Sequence, residues 1–246
     1  AMENNGTKLA LISYDLCSLR PLLYRHLQET LKAEFGELND NIILCATHTH
    51  TGPEFPSEDS EMDEATATAL NIIVDATVRG LKRAIMNLQP GTLEATTVYN
   101  NPYAFVRRYF MKDGNIVTNP GWGNPDIDKP YGPPPDEEVQ ILRIDCEGAK
   151  PICVINFQTH PDVVGGETIT ADWPGLTRTV FEAATLGKTR CMVLNGTQGD
   201  VNHVNVMPRP GEGNGLKRDF DNVDRGYDHA WHMANVLAGA ALSVWM

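Results

Sequence analysis

Two histidines one residue apart, His48 and His50, leave the apolar run Ile42-Ile43-Leu44-Cys45-Ala46 in the segment Thr47-His48-Thr49-His50-Thr51-Gly52-Pro53. Extended backbone alternates its side chains, so both imidazoles of an H-x-H pair face one way, and such a pair at a strand end commonly supplies the first ligands of a metal. The same residues would also serve as a polar turn whose histidines satisfy backbone groups. Two more apolar runs end alike. Pro151 to Phe157 empties into Gln158-Thr159-His160-Pro161, and Arg190 to Leu194 opens into a polar loop holding Asp200, Asn202 and His203. His48 with His50, His160, and Asp200 with His203 match in number and type the groups of an open catalytic zinc site.

Each loop needs a strand to carry it. Lys8 to Tyr14 reads as a buried strand, Asp15 follows, and Leu19, Leu22, Leu23, Leu27 and Leu31 recur at helical spacing before Gly36 as C-cap. Strand, helix, strand in that order predicts parallel pairing by a right-handed crossover, which puts Asp15 and His48 at the same edge of a sheet. There Asp15 is a candidate for orienting or ligating, or the cap of the following helix. Glu54 to Glu64 reads as an acidic surface loop, and Leu70, Ile73, Val74, Thr77, Leu81 and Ile85 form one stripe of a helix from about Ala65 to Leu88. Thr92 to Tyr99 is a strand. Asn100 to Pro135 is rich in Pro, Gly and Asn around a hairpin, Phe105 to Met111 and Ile116 to Thr118, turning at Asp113-Gly114.

A loop that long is expected to cover substrate. Of its Arg107 and Arg108, one would point inward to hold a carbonyl oxygen or carboxylate. Val139 to Asp145 and Pro151 to Phe157 form an antiparallel hairpin by spacing. Asp172 reads as the N-cap of a helix to about Ala184, and Gly226 to Trp245 closes the chain as a helix. Its His229 and His232 share a face and read as surface or satisfied core groups. The expected fold class is α/β, a mixed β-sheet core flanked by helices with a metal site at strand ends.

The 246 residues, 41% hydrophobic, suffice for a sizeable core. A formal net charge of −12 without a basic run argues against nucleic acid or an anionic membrane surface as the main partner, because like charges repel. The five scattered cysteines, without C-x-x-C spacing, signal neither a disulfide scaffold nor a cysteine zinc site. No apolar stretch has membrane-spanning length. Ala1-Met2 reads as a tag-cleavage scar, which leaves room for a removed signal peptide and keeps the compartment open.

Spacing trims the alternatives. The H-x-H-x-D-H signature of the metallo-β-lactamase fold fails at Gly52, an amidohydrolase barrel would need far more β-α units, and no G-x-S-x-G marks a serine hydrolase. Thr47 to Pro53, the Arg107 hairpin, Phe157-Gln158-Thr159-His160-Pro161 with Ala171-Asp172-Trp173-Pro174-Gly175, and Gly199-Asp200-Val201-Asn202 together resemble the N-terminal catalytic domain of the neutral/alkaline ceramidase family. The four motifs keep their order and spacing over nearly the whole chain. The match is nearer to bacterial ceramidase-like proteins, which carry a similar Arg-Arg-Tyr-x-Met-Lys-Asp-Gly hairpin.

The resemblance implies a single catalytic domain over residues 1–246, a fragment of a longer chain or a unit of its own. It implies one zinc ion, with His48 and His160 as ligands, His50 behind them or on the oxyanion side, and Arg107 holding the substrate carbonyl; in a water mechanism His50 or Asp200 would accept the proton. The chain departs from the family in two places. Ceramidases carry a serine after Gly-Asp-Val as the proposed nucleophile, whereas Asn202 stands here. The family also draws a Glu and a Tyr ligand from a region beyond the last helix of this chain, so either the chain is a fragment, or Asp15, Asp200, His203 or a neighbouring subunit completes the metal, or the site is vestigial. The expected function is therefore zinc-dependent hydrolysis of an amide or related acyl bond by metal-activated water, on a small-molecule or lipid-like acyl substrate, in a monomer or homo-oligomer. The rival is a metal- or ligand-binding module of the same fold without catalysis.

Overall fold

The computed structural model describes residues 1–58, 62–99, 103–207 and 225–245. Strand β1 (Met2–Asn4) lies antiparallel to β2 (Thr7–Tyr14), and β2 lies parallel to β3 (Ile42–Ala46) with Tyr14 opposite Ala46. Between them runs α1 (Pro21–Phe35), which starts on a proline in its first turn and stops, as expected, at Gly36 with φ 58° just past its end. Leu23, Leu27 and Leu31 of this helix are fully buried, each contributing about 1.5–3 kcal/mol. They pack with Ala10, Ile42 and the Leu70 and Leu81 side chains of α2 (Glu64–Met86). Asp63 caps α2 by accepting from the Thr66 amide at 2.7 Å.

A second, four-stranded sheet has the order β11-β10-β9-β4, from β4 (Gly91–Val98), β9 (Val139–Cys146), β10 (Ile152–Phe157) and β11 (Arg190–Asn195). Only β10 and β11 are parallel, with Phe157 opposite Asn195, so the sheet is mixed as expected. Cys153, Ile155, Phe157 and Val193 bury one face against α3 (Asp172–Ala184) and α4 (Tyr227–Trp245), around Trp173, Phe181, Met233 and Leu237. Ser13 of β2 donates to the Val193 carbonyl of β11 at 3.4 Å, which sets the two parallel pairs side by side. Their four carboxyl ends therefore open along one edge, the place where α/β sheets hold ligands.

The covering segment is more elaborate than one hairpin. It breaks at Arg107: β5 (Phe105–Val106) pairs with β12 (Val201–Asn202), while β6 (Arg108–Met111) pairs with β7 (Ile116–Thr118) and with β8 (Ile127–Pro130), a strand not anticipated. Its buried side chains Val106, Tyr109, Met111 and Ile127 pack on Val204 and Val206. The Pro-rich stretch after His203 and the start of the covering loop lie partly outside the described residues. Asp172 is not the N-cap. It is the first helical residue at φ 51°, and its carboxylate accepts from the Val164 and Trp173 amides at 2.8 and 2.5 Å.

Candidate functional site

The loops that leave the strands are stitched together by their own backbone. Thr47 and His48 donate to the Tyr14 and Leu16 carbonyls at 2.8 and 2.9 Å, and His160 donates to the Val201 carbonyl at 3.1 Å. Asn195, at the end of β11, donates from its side chain to the Thr47 carbonyl at 2.9 Å. Gly52 is required here, because a Cβ would stand 2.8 Å from the Asp15 carbonyl oxygen.

His48 and His50 do not reach the site by strand alternation. The strand ends at Ala46, and His48 sits at φ 71°, a left-handed conformation that costs a non-glycine residue roughly 1–3 kcal/mol and persists where surroundings over-determine it. The turn brings three imidazoles together from two loops. His48 Nε2 lies 3.2 Å from His160 Nε2 and 3.4 Å from His50 Nε2, and the three ring centroids stand 4.7 to 5.0 Å apart.

The partners of the other nitrogens decide the protonation. His48 Nδ1 lies 2.6 Å from the Cys17 carbonyl and His160 Nδ1 lies 3.2 Å from the Gln198 carbonyl. A carbonyl only accepts, so His48 carries its hydrogen on Nδ1 and its Nε2 presents a bare lone pair. His160 Nδ1 has both the Gln198 carbonyl and the donor-only Arg107 guanidinium beside it, so its Nε2 either donates to His48 Nε2 at 3.2 Å or faces a cation together with it. Burial pushes the His160 imidazole down to about 4, so an extra proton is not that cation at neutral pH. Burial also lowers His50, while the Asp162 carboxylate pulls it back up.

Nitrogens bonded at about 2.0–2.1 Å to a tetrahedral zinc stand about 3.3 Å apart, which the His48–His160 and His48–His50 separations each fit. The ligand atoms of Cys17, His48 and His50 also lie within 4.8 Å of one another. The Cys17 Sγ, however, lies 3.8 Å from His48 Nδ1, the nitrogen already engaged by the Cys17 carbonyl. Burial first and Glu54 next push this thiol up, away from the thiolate a metal prefers. Cys17 thus holds His48 from behind through its carbonyl, a backbone role no sequence pattern announces.

Arg107 places Nη1 3.3 Å from His160 Nδ1 and donates to the Gly199 carbonyl at 3.3 Å, so it borders the histidines as the hairpin motif led one to expect. Arg108 is turned to the same loop, where its Nε and Nη2 clamp both oxygens of Asp200 at 2.7 and 2.9 Å. Asp200 is therefore beside the site with its carboxylate occupied. Asp15 is not with the histidines: its Oδ2 accepts from Arg178 of α3 at 2.8 Å. Asn202 is 2% exposed, donates to Asn119 Oδ1 at 2.7 Å and accepts from the His203 amide at 2.9 Å.

His203 stands apart from the three imidazoles. Its Nδ1 lies 3.4 Å from Asp162 Oδ1, and its ring is 5.3 Å from that of His229. His229, read from the sequence as a surface or satisfied group, is 1% exposed with neither ring nitrogen hydrogen-bonded, and burial lowers it to about 3. Sequence reasoning passed over Asp162, which the fold sets beside His203.

A mixed α/β fold with a convergent histidine cluster at the carboxyl ends of its parallel strands defines the class. No family model matches the chain. It is 32% identical over 95 residues to neutral ceramidase of Pseudomonas aeruginosa, a stretch that covers 36% of this chain and 14% of that protein. It is 26% identical over 171 residues to neutral ceramidase B of Dictyostelium discoideum, covering 63% of this chain and 22% of the relative. Two solved structures share the fold, a ceramidase complexed with C2 at a TM-score of 0.68 and neutral ceramidase from Pseudomonas aeruginosa at 0.66. Each is 20% identical and is matched over 94% of this chain but 35% of its own. The chain is neutral ceramidase-like, and it spans about a third of the solved ceramidases' length.

Proposed function

We propose that the chain is a ceramidase-like catalytic domain that hydrolyses an amide (N-acyl) or related acyl bond with one zinc ion held by His48 and His160, His50 standing beside them. The observation that carries this reading is the 3.2 Å approach of the Nε2 atoms of His48 and His160. The similarity to neutral ceramidases supports the C–N bond and a lipid-like acyl substrate. Bound zinc would supply a Lewis acid and a water whose pKa falls to about 7.

The chain's own groups divide the remaining work. Arg107, fixed to the Gly199 carbonyl, offers guanidinium N–H donors beside the histidines for the oxygen that gains charge when an acyl carbon is attacked. His50, the exposed member of the trio, is the proton acceptor, since both Asp200 oxygens are engaged by Arg108. Asn202 has no nucleophilic atom, so no acyl-enzyme forms. The engagement of both ends of its carboxamide is also the feature that favours the rival reading, a binding module without catalysis.

The test is elemental analysis together with turnover of an amide and ester panel by the metal-loaded protein. Stoichiometric zinc with chelator-sensitive hydrolysis, and no covalent adduct by mass spectrometry, are expected. Zinc without turnover of any substrate supports the binding module, and an absence of metal removes the zinc hydrolase and leaves only a module that binds a ligand other than metal.

A further inference from the structure

Arg107 lies in the break between β5 and β6, and its own guanidinium contacts are long. Nη1 stands 3.3 Å from the Gly199 carbonyl and 3.3 Å from His160 Nδ1, and Nε is buried without a hydrogen-bond partner. Contacts of that length fix a long side chain poorly, so its place depends on its backbone. That backbone is held on both sides. The Arg107 amide donates to the Asp200 carbonyl at 3.4 Å, and the Arg107 carbonyl accepts from the Asn119 amide at 2.8 Å.

Asn202 joins these two holders. It lies in β12, opposite Phe105 of β5 and just beyond Asp200. Its Oδ1 accepts from the His203 amide at 2.9 Å, and because an amide N–H only donates, Nδ2 is the end that faces Asn119 Oδ1 at 2.7 Å. Both polar ends of this buried side chain are thereby engaged. Asn119 sits at φ 49°, a left-handed backbone that asparagine tolerates better than most residues, and it gives its amide to Arg107 and its side-chain oxygen to Asn202. The Val201 carbonyl of β12 accepts from the His160 amide at 3.1 Å, so the segment Asp200 to Asn202 carries the backbone of His160 as well as that of Arg107.

We infer that Asn202 is a positioning residue for Arg107: its carboxamide clips Asn119 to β12 and so fixes the guanidinium beside His160. The role rests on the use of Arg107 as an oxyanion donor proposed above. A serine at position 202 would end one bond shorter than Asn202 Nδ2 and leave the Asn119 oxygen without this donor, so the carboxamide here does work that a nucleophilic hydroxyl could not.

The experiment pairs amide hydrogen exchange with steady-state kinetics on the amide and ester panel, both on the full 246-residue chain. In Asn202→Ala the Asn119 amide should exchange about 10-fold faster or more, while the amides of β9 and β10 keep the parent rates. Asn202→Ala and Asn119→Gly, which keeps the left-handed turn without steric cost, should each lower kcat by about 10²-fold with little change in KM, the usual effect of a displacement of about 1 Å. Asn119→Asp keeps an oxygen for Asn202 Nδ2 and should stay within a few-fold of the parent. Asn202→Ser should fall as Asn202→Ala does. Added to Arg107→Ala, Asn202→Ala should lower kcat no further, because the two act as one unit. Parent-like exchange of the Asn119 amide in Asn202→Ala overturns the inference, as does equal acceleration in β9 and β10, which would mean support of the whole fold. Additive losses with Arg107→Ala, or a kcat in Asn202→Ser above the parent's, overturn it too. A parent that turns over no substrate removes the hydrolase reading instead, and the exchange rates then decide by themselves whether Asn202 clips the Arg107 backbone.

Discussion

His48 Nε2 and His160 Nε2 approach to 3.2 Å across 112 positions of sequence, each with its other nitrogen beside a backbone carbonyl. The fold brings together two ligand nitrogens that are far apart in the chain. Removing either imidazole leaves too few convergent nitrogens, so His160→Ala and His48→Ala should each abolish stoichiometric zinc in elemental analysis. Full occupancy in His160→Ala would show that His160 is a core histidine only.

Arg107 and Arg108 are adjacent in sequence and opposite in consequence. Arg107→Ala should lower turnover by about 10²–10³-fold, the usual cost of one lost oxyanion donor. Zinc affinity should hardly change. Arg108→Ala breaks the Asp200 clamp, but the pair is 43% and 38% exposed, so solvent screening limits the stability loss to under about 1 kcal/mol. Steady-state kinetics beside denaturant melts separate the two; comparable turnover in both variants would contradict the assignment.

Gly52 lies where the H-x-H loop crosses the end of β2. Any side chain would meet the Asp15 carbonyl oxygen at 2.8 Å and Thr49 Cγ2 at 3.2 Å. Gly52→Ala should therefore cost about 1–3 kcal/mol, as overpacking does, and weaken zinc by shifting His48 and His50. Unchanged urea midpoint and zinc affinity would show that the loop adjusts freely.

His229 gives the chain an acid sensitivity. Its imidazole is held near 3 by burial, with His203 and His232 adding repulsion, against about 6.5 in the unfolded chain. Above pH 6.5 both states are neutral there and stability is unaffected. Below it only the unfolded state takes up the proton, so stability falls by about 1.4 kcal/mol per pH unit until the folded group titrates. His229→Leu should flatten the denaturant stability profile between pH 6 and 4 measured in chelator. A parallel slope in parent and variant would mean that His229 protonates within the fold.

The sequence alone determined the strand and helix order, because apolar runs and leucine spacing act locally and the structure needed no distant information to obey them. Parallel pairing of β2 with β3 and the antiparallel β9–β10 hairpin followed from connection length, and both are observed. The residues that meet at the edge were legible as well, since His48, His50, His160 and Arg107 each sit in a motif at or beside a strand end. What only tertiary structure decided is which groups are already engaged. Asp15 and Asp200 looked available until Arg178, in a helix more than a hundred residues away in sequence, and Arg108 took them. The tautomers of His48 and His160 depend on the carbonyls of Cys17 and Gln198, and a backbone acceptor leaves no residue-type signature. The isolation of His229 likewise arises from burial against distant elements, where the surroundings set the cost of a charge and sequence spacing does not.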